Sequence, residues 1–184
     1  MKVLKTITIL VISLMILAFT TNISPEKTIS EKVAAKQNLS TLLTALQAAD
    51  LVETLKGEGP YTVFAPTNNA FKNLPEGKLD ELLKPENKAQ LAKILKYHVV
   101  SGKIYASDLS GEKMVKTLEG TQIKVQASVS MEEDMDEQST DMDRVRVNNA
   151  TVVEPDITAS NGIIHIIDGV VMPSDIEVMG ATDY

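Results

Sequence analysis

His98 and His165 are the only histidines in the chain, and neither stands where imidazole chemistry needs it. His98 falls on an apolar helical stripe with Leu91, Ile94 and Leu95, and His165 lies inside the aliphatic run 163–167. A metal site needs a third or fourth ligand at a defined spacing, and none accompanies either residue. Nucleophilic chemistry lacks support too: there is no G-x-S-x-G elbow, no H-E-x-x-H and no phosphate-binding loop. Both rings read as buried imidazoles paired with a backbone carbonyl or a hydroxyl. The absence of cysteine excludes disulfides, thiolate catalysis, zinc–thiolate sites and lipoprotein anchoring. The chain is expected to be no enzyme, with no catalytic residue, cofactor or metal.

A second candidate for chemistry is the acidic run 131–143 (MEEDMDEQSTDMD), which holds seven of the 25 acidic residues and no basic one. The other 18 acids equal the 18 Lys and Arg, so this run carries the whole net charge of −7. Asp134, Asp136 and Gln138 have the opening spacing of a calcium loop. The sixth position is Ser139 rather than Gly and the twelfth is Val145 rather than Glu, so the EF-hand reading fails. Looser calcium binding by Glu132, Glu133, Asp134, Asp136 and Asp141 stands beside a solvated connection kept extended by like-charge repulsion. Met131, Met135 and Met142 within it are open to oxidation. Clustered basic residues are missing, so no nucleic-acid partner is expected.

The elements that must position these residues change character along the chain. Residues 1–24 read as an export signal, with two lysines before fifteen uncharged residues, 6–20. That length suits a signal-peptide core better than a span, with an uncleaved anchor as the alternative. The folded part is then secreted, periplasmic or on the cell surface. Residues 25–37 lead into a first helix, and 38–55 form an amphipathic helix or helix pair with Leu39, Leu42, Leu43 and Leu46 on one face. Residues 61–65 (YTVFA) read as a buried strand, Pro66 as its stop, and Thr67 as the N-cap of a short helix carrying Ala70 and Phe71. Asn87 with Gln90 suggests a capping box for the helix bearing Leu91 to His98. Strands follow at 114–118, 122–127, 144–147, 150–153 and 162–172, with Asn148-Asn149 supplying positive φ at a hairpin turn. Helices first and strands later argue for an α+β domain.

Two segments stand out, 61–71 (YTVFAPTNNAF) and 161–173 (NGIIHIIDGVVMP). With Tyr97-His98-Val99-Val100 and residues 83–95 (LKPENKAQLAKIL) between them, the stretch 38–173 resembles a single fasciclin domain of bacterial type over almost its whole length. The resemblance implies a wedge-shaped β-sandwich with helices packed on one side and end, occupying 38–174, with 131–143 as an acidic loop and 175–184 as a tail. It also implies an exported or cell-surface adhesion module that binds protein or extracellular-matrix partners, with no membrane insertion beyond the N-terminal signal. In animal relatives a Tyr-His segment and a Glu-Pro-Asp-Ile-Met-like stretch are implicated in integrin recognition. By that likeness the partner-binding residues here are Tyr97, His98, Glu154, Pro155, Asp156 and Ile157, although Thr158 departs from the pattern. The competing reading makes Tyr97 core and lets Asp156-Ile157 steer the chain into the last strand. The functional alternative is an envelope accessory or sensory protein holding a small molecule or lipid in a cleft beneath the helices. Oligomeric state and partner identity are not legible. Asn38-Leu39-Ser40 and Asn149-Ala150-Thr151 match glycosylation sequons, meaningful only in a eukaryotic secretory host.

Overall fold

The computed structural model describes residues 26–109, 111–128 and 144–173. At its centre, β1 (Tyr61–Pro66) runs parallel to β7 (Gly162–Ile167), in register from Tyr61 opposite Gly162 to Pro66 opposite Ile167. All six residues of β7 are buried. Both faces of this pair are covered, which is why its sequence is continuously apolar rather than alternating. Pro66 stays in the register as the last residue of β1, where its missing N–H matters little, and the next N–H, of Thr67, bonds Ile167 O at 3.1 Å.

Five further strands complete the sheet: β2 (Val99–Ser101), β3 (Gly111–Lys116), β4 (Gln122–Ser128), β5 (Arg144–Val147) and β6 (Ala150–Ala159). Their order is β2-β1-β7-β6-β5-β4-β3. The sheet folds over on itself, because a bridge between Val100 and Thr117 brings β2 against the end of β3. Leu118 N–H bonds Val99 O there at 2.7 Å. Phe64, Val100, Ile123, Val125, Val145, Val147 and Ile167 fill the space between the two layers. This is the wedge-shaped sandwich of the α+β expectation.

The helices cover the opposite face of β1 and β7. They are α1 (Ile29–Ala35), α2 (Ser40–Ala48), α3 (Val52–Lys56), α4 (Asn68–Lys72), α5 (Lys78–Leu82) and α6 (Lys88–Tyr97). Ile29, Leu42, Leu46, Leu55, Leu91 and Ile94 pack on Val63, Ala65, Ile164 and Ile166. Thr28 closes a capping box with Glu31 at the start of α1, and Thr67 caps α4 by accepting Ala70 N–H at 3.1 Å. The capping box anticipated for α6 does not form. Asn87 ends a short 3-10 turn, and its amide donates to Glu81 O at 2.8 Å, tying α6 to α5 instead.

β3 begins at Gly111, three residues before the expected start, and three strand ends also differ by two residues or more. β3 ends two residues early because Thr117 turns the chain, its N–H bonding Thr121 O at 2.9 Å. β7 stops at Ile167 because Asp168 exchanges two bonds with Thr151 and leaves the ladder. β6 runs six residues past 153, an extension that Pro155 hides from a pattern-based reading.

The clamp on this arrangement is Asn161. Its Oδ1 accepts Ile29 N–H at 2.9 Å, and its Nδ2 donates to Leu55 O and Gly57 O, each at 2.8 Å. Its own carbonyl accepts Tyr61 N–H at 3.1 Å. The backbones approach so closely that a Cβ on Gly162 would lie 2.0 Å from Tyr61 O. Asn161→Ala strands one donor and two acceptors and should lower unfolding free energy by about 3 kcal/mol in urea titrations. Asn161→Asp, although isosteric, faces two carbonyls with an acceptor and should lose at least as much. A tolerated Asp variant would remove the clamp from this account.

Candidate functional site

The six residues singled out from sequence divide into two groups. Tyr97 and His98 are buried, at 5% and 2% exposure, so they are corrected to core and offer nothing to a partner. Tyr97 is the last residue of α6 and turns into the space between the sheet layers. Its hydroxyl donates to Gln122 O and accepts from Asn148 Nδ2, both at 3.2 Å. His98 caps α6. Its Nε2 accepts Val171 N–H at 3.1 Å, so Nδ1 carries the proton and donates to Ile94 O at 2.8 Å. The imidazole thereby joins the end of α6 to the chain leaving β7. Burial pushes its pKa down to about 4, against the opposing pull of the Ile94 carbonyl.

Glu154, Pro155, Asp156 and Ile157 lie together on β6, where the ladder with β7 slips twice. Val152 faces Ile167, Glu154 faces Ile166 and Ile157 faces Ile164, so each slip inserts one extra residue. Pro155 cannot donate to the ladder, and Asp156 adopts φ 56°, the left-handed region that residues with a Cβ seldom occupy. The result pushes 153–156 outward. Val153 is 56% exposed and Ile157 half-buried against the helical core. Glu154 is fixed by Lys36 Nζ at 2.6 Å, and Asp156 Oδ1 accepts Ala106 N–H at 2.8 Å.

The bulge is held from beneath by His165. This ring is fully buried and stacks on Phe64 with centroids 5.6 Å apart. Its Nδ1 accepts Asp156 N–H at 3.3 Å, and its Nε2 donates to Ile104 O at 2.8 Å. The 102–106 connection is pinned again by Thr62, whose hydroxyl donates to Gly102 O at 2.7 Å and accepts Ile104 N–H at 2.9 Å. Burial lowers the His165 pKa, while the Ile104 carbonyl and the Asp156 carboxylate oppose that shift.

Sequence reasoning missed three residues that frame this face. Tyr105, 38% exposed, neighbours the Ala106 N–H that holds Asp156; Lys36 pairs with Glu154; and Val153 is the residue inserted at the first slip. An exposed tyrosine next to an Ala-Ser-Asp turn was the available signal, but its proximity to Asp156 is purely tertiary.

The acidic run 131–143, the stretch 1–24 read from sequence as an export signal and the expected tail 175–184 lie outside the described residues. Among the described residues no cluster of three or more acidic or histidine side chains could hold a metal, and no helix is long and apolar enough to cross a membrane. The apolar crevice beneath the helices, walled by Leu46, Leu51, Leu55, Leu95, Val99 and Leu118, has room of about 10 Å³. That is the space of about one water, far short of a lipid or metabolite.

The two depressed histidines set a pH dependence. The unfolded chain takes up these protons more readily, so their stabilisation is complete above about pH 6.5 and is lost as pH falls through that value. For His98 the loss continues to about pH 4 and totals about 3 kcal/mol. Urea unfolding of His98→Gln should show lower stability at neutral pH but a shallower decline across this window. An unchanged slope would contradict the neutral, buried assignment.

Comparison with known proteins agrees with the geometry. The family model of the fasciclin domain matches residues 37–173. The Synechocystis protein sll1483 is 48% identical over 147 residues, covering 79% of this chain and 73% of that protein. Transforming growth factor-beta-induced protein ig-h3 from Sus scrofa is 38% identical over 149 residues, covering 81% of this chain but 20% of that protein. Among solved structures, the FAS1 domain pair of the insect cell adhesion molecule fasciclin I superposes with a TM-score of 0.67 at 17% identity, covering 82% of this chain and 52% of the pair. In sequence over 137 residues and in fold, the chain belongs to the fasciclin domain family.

Proposed function

We propose that this chain is an exported adhesion or interaction module, without catalysis, that binds a protein or extracellular-matrix partner through the face formed by Val153, Glu154, Pro155, Asp156 and Tyr105. The observation that carries the reading is the doubled bulge in β6. It presents an apolar residue, a proline and two carboxylates to solvent while the Asp156 backbone is anchored to His165 and the two carboxylates are held by Ala106 and Lys36. An exposed valine beside a rigid proline gives a partner apolar area at little entropic cost, and the flanking carboxylates favour a basic rim opposite. Ile157 belongs to the support of this face rather than to its contact surface. Residues 1–24 serve as the export signal, 38–174 as the binding domain, and 175–184 as a tail. The family's cell adhesion molecule supplies the functional precedent.

The test is retention of the processed domain on its native cell-surface or matrix fraction. Val153→Asp and Glu154→Lys should each reduce retention by about tenfold or more, with melting temperature unchanged for Val153→Asp, whose side chain is exposed, and only slightly lowered for Glu154→Lys, which breaks a surface pair with Lys36 worth about 1 kcal/mol or less. Retention equal to the parent in both variants would assign binding to another surface. Removing 131–143 in parallel separates the acidic run from the bulge, since the proposal expects that deletion to leave retention intact.

A further inference from the structure

The bulge is latched by a group that can change its hydrogen-bonding character. In its neutral form His165 uses Nε2–H to hold Ile104 O and leaves Nδ1 as the acceptor for Asp156 N–H. The elements around the ring present few charges to it. β1 contributes Phe64 and Thr62, which are uncharged. The connection after β2 contributes the Ile104 carbonyl, while Lys103 is exposed to solvent and Asp108 accepts Tyr105 N–H. On β6, Glu154 is paired with Lys36, and Asp156 Oδ1 lies 4.0 Å from His165 Nδ1. Among the described residues Asp156 is thus the charged group that acts on this ring.

Proton uptake at Nδ1 would set a new N–H against Asp156 N–H across a contact of 3.3 Å. Two donors cannot share that contact. The Asp156 carboxylate is an acceptor at hand for the new N–H, and the oxygen 4.0 Å from Nδ1 is the one now bound to Ala106 N–H. A single proton therefore removes the bond between the bulge and the ring of β7 and sets the imidazolium in competition with Ala106 N–H for one carboxylate oxygen. Asp156 is already in the left-handed region, a conformation that persists only while its surroundings hold it.

We propose that His165 is a proton-operated latch on the 153–157 face: neutral, it locks the bulge to the 102–106 connection; protonated, it keeps Ile104 but lets go of Asp156 N–H and draws the Asp156 carboxylate away from Ala106, remodelling the surface offered to a partner. Its consequence for binding rests on the face assigned above, but the latch itself is a property of the isolated chain. Because burial disfavours the charged ring, release occurs on the acid side of the ordinary histidine range. A module outside the cell would then hold its partner at neutral pH and let go in an acidified surrounding.

The experiment is a nitrogen-15 NMR pH titration of the full chain with no partner present, from about pH 7.5 downward. The Asp156 and Ala106 amide signals should move with the same midpoint as the His165 ring. Hydrogen exchange at Ala106 should speed up at least about tenfold once the ring is protonated. Asp156→Asn keeps an oxygen for Ala106 N–H but removes the charge, so the His165 midpoint should fall further. The proposal is overturned if His165 titrates while amides 104–106 and 153–157 stay still, or if all amides collapse together at one midpoint. It is likewise overturned if Asp156→Asn leaves the midpoint in place. Since no partner takes part, a failed latch leaves the face assignment standing, and unaltered retention of the surface variants leaves the latch measurable.

Discussion

Parallel strands have no turn of their own to fix their register, and β1 and β7 lie roughly a hundred residues apart in sequence. A slip of one residue would exchange Phe64 and His165 with Val63 and Ile164, turning the contents of one core into the other. Asn161 prevents the slip. One buried carboxamide reads the start of α1 and the end of α3, and the backbone carbonyl of the same residue takes the first N–H of β1. Glycine on either side of this contact is required by distance, since a Cβ on Gly59 would meet Asn161 O at 2.2 Å. The helical layer, the register of the central pair and the stacking of Phe64 on His165 all follow from that junction.

With β1 and β7 buried on both faces, the remaining strands must wrap around them, and β6 performs the crossing. Its first two residues pair with β5 in the second layer, and the rest follow β7 in the first. A strand that changes layers while its partner runs straight needs extra length at the bend. The two inserted residues provide it, and the outward push of 153–156 is the geometric consequence. The most exposed apolar part of the described sandwich therefore arises from how the sandwich closes.

Much of this was legible in the sequence where the physics is local. The Thr67 cap, the positive φ at Asn148, the apolar stripe of α6 and the burial of both histidines depend on neighbours within a few residues. The pieces that misled were those whose partners are distant. Asn87 has the sequence of a cap yet spends its amide on Glu81, and Pro155 reads as a strand breaker yet sits inside a bulged strand. Tyr97 and His98 carry a likeness to a recognition segment, but α6 ends just where both rings must fill the seam between helices and sheet. Nothing in the spacing of 106 and 156 announces that these positions meet.

Both histidines solve one problem at two depths. Closing a sandwich leaves backbone groups at the seams that no ladder satisfies, and in a chain without cysteine polar side chains join them. A neutral imidazole offers one donor and one acceptor on opposite sides of a rigid ring, so it can staple two segments across a gap. His98 staples Ile94 to Val171 in the interior, where burial holds it neutral to about pH 4 and makes the joint permanent at physiological pH. His165 staples Ile104 to Asp156 beneath the surface, with a carboxylate 4.0 Å from its acceptor nitrogen. The same chemistry therefore gives a fixed joint where no counter-charge is near and a responsive one where a counter-charge waits. An exposed face mounted on the second kind of joint is ordered before it meets a partner, which lowers the entropy lost on binding. By the latch proposed above, it is also a part of the domain that a single proton would loosen.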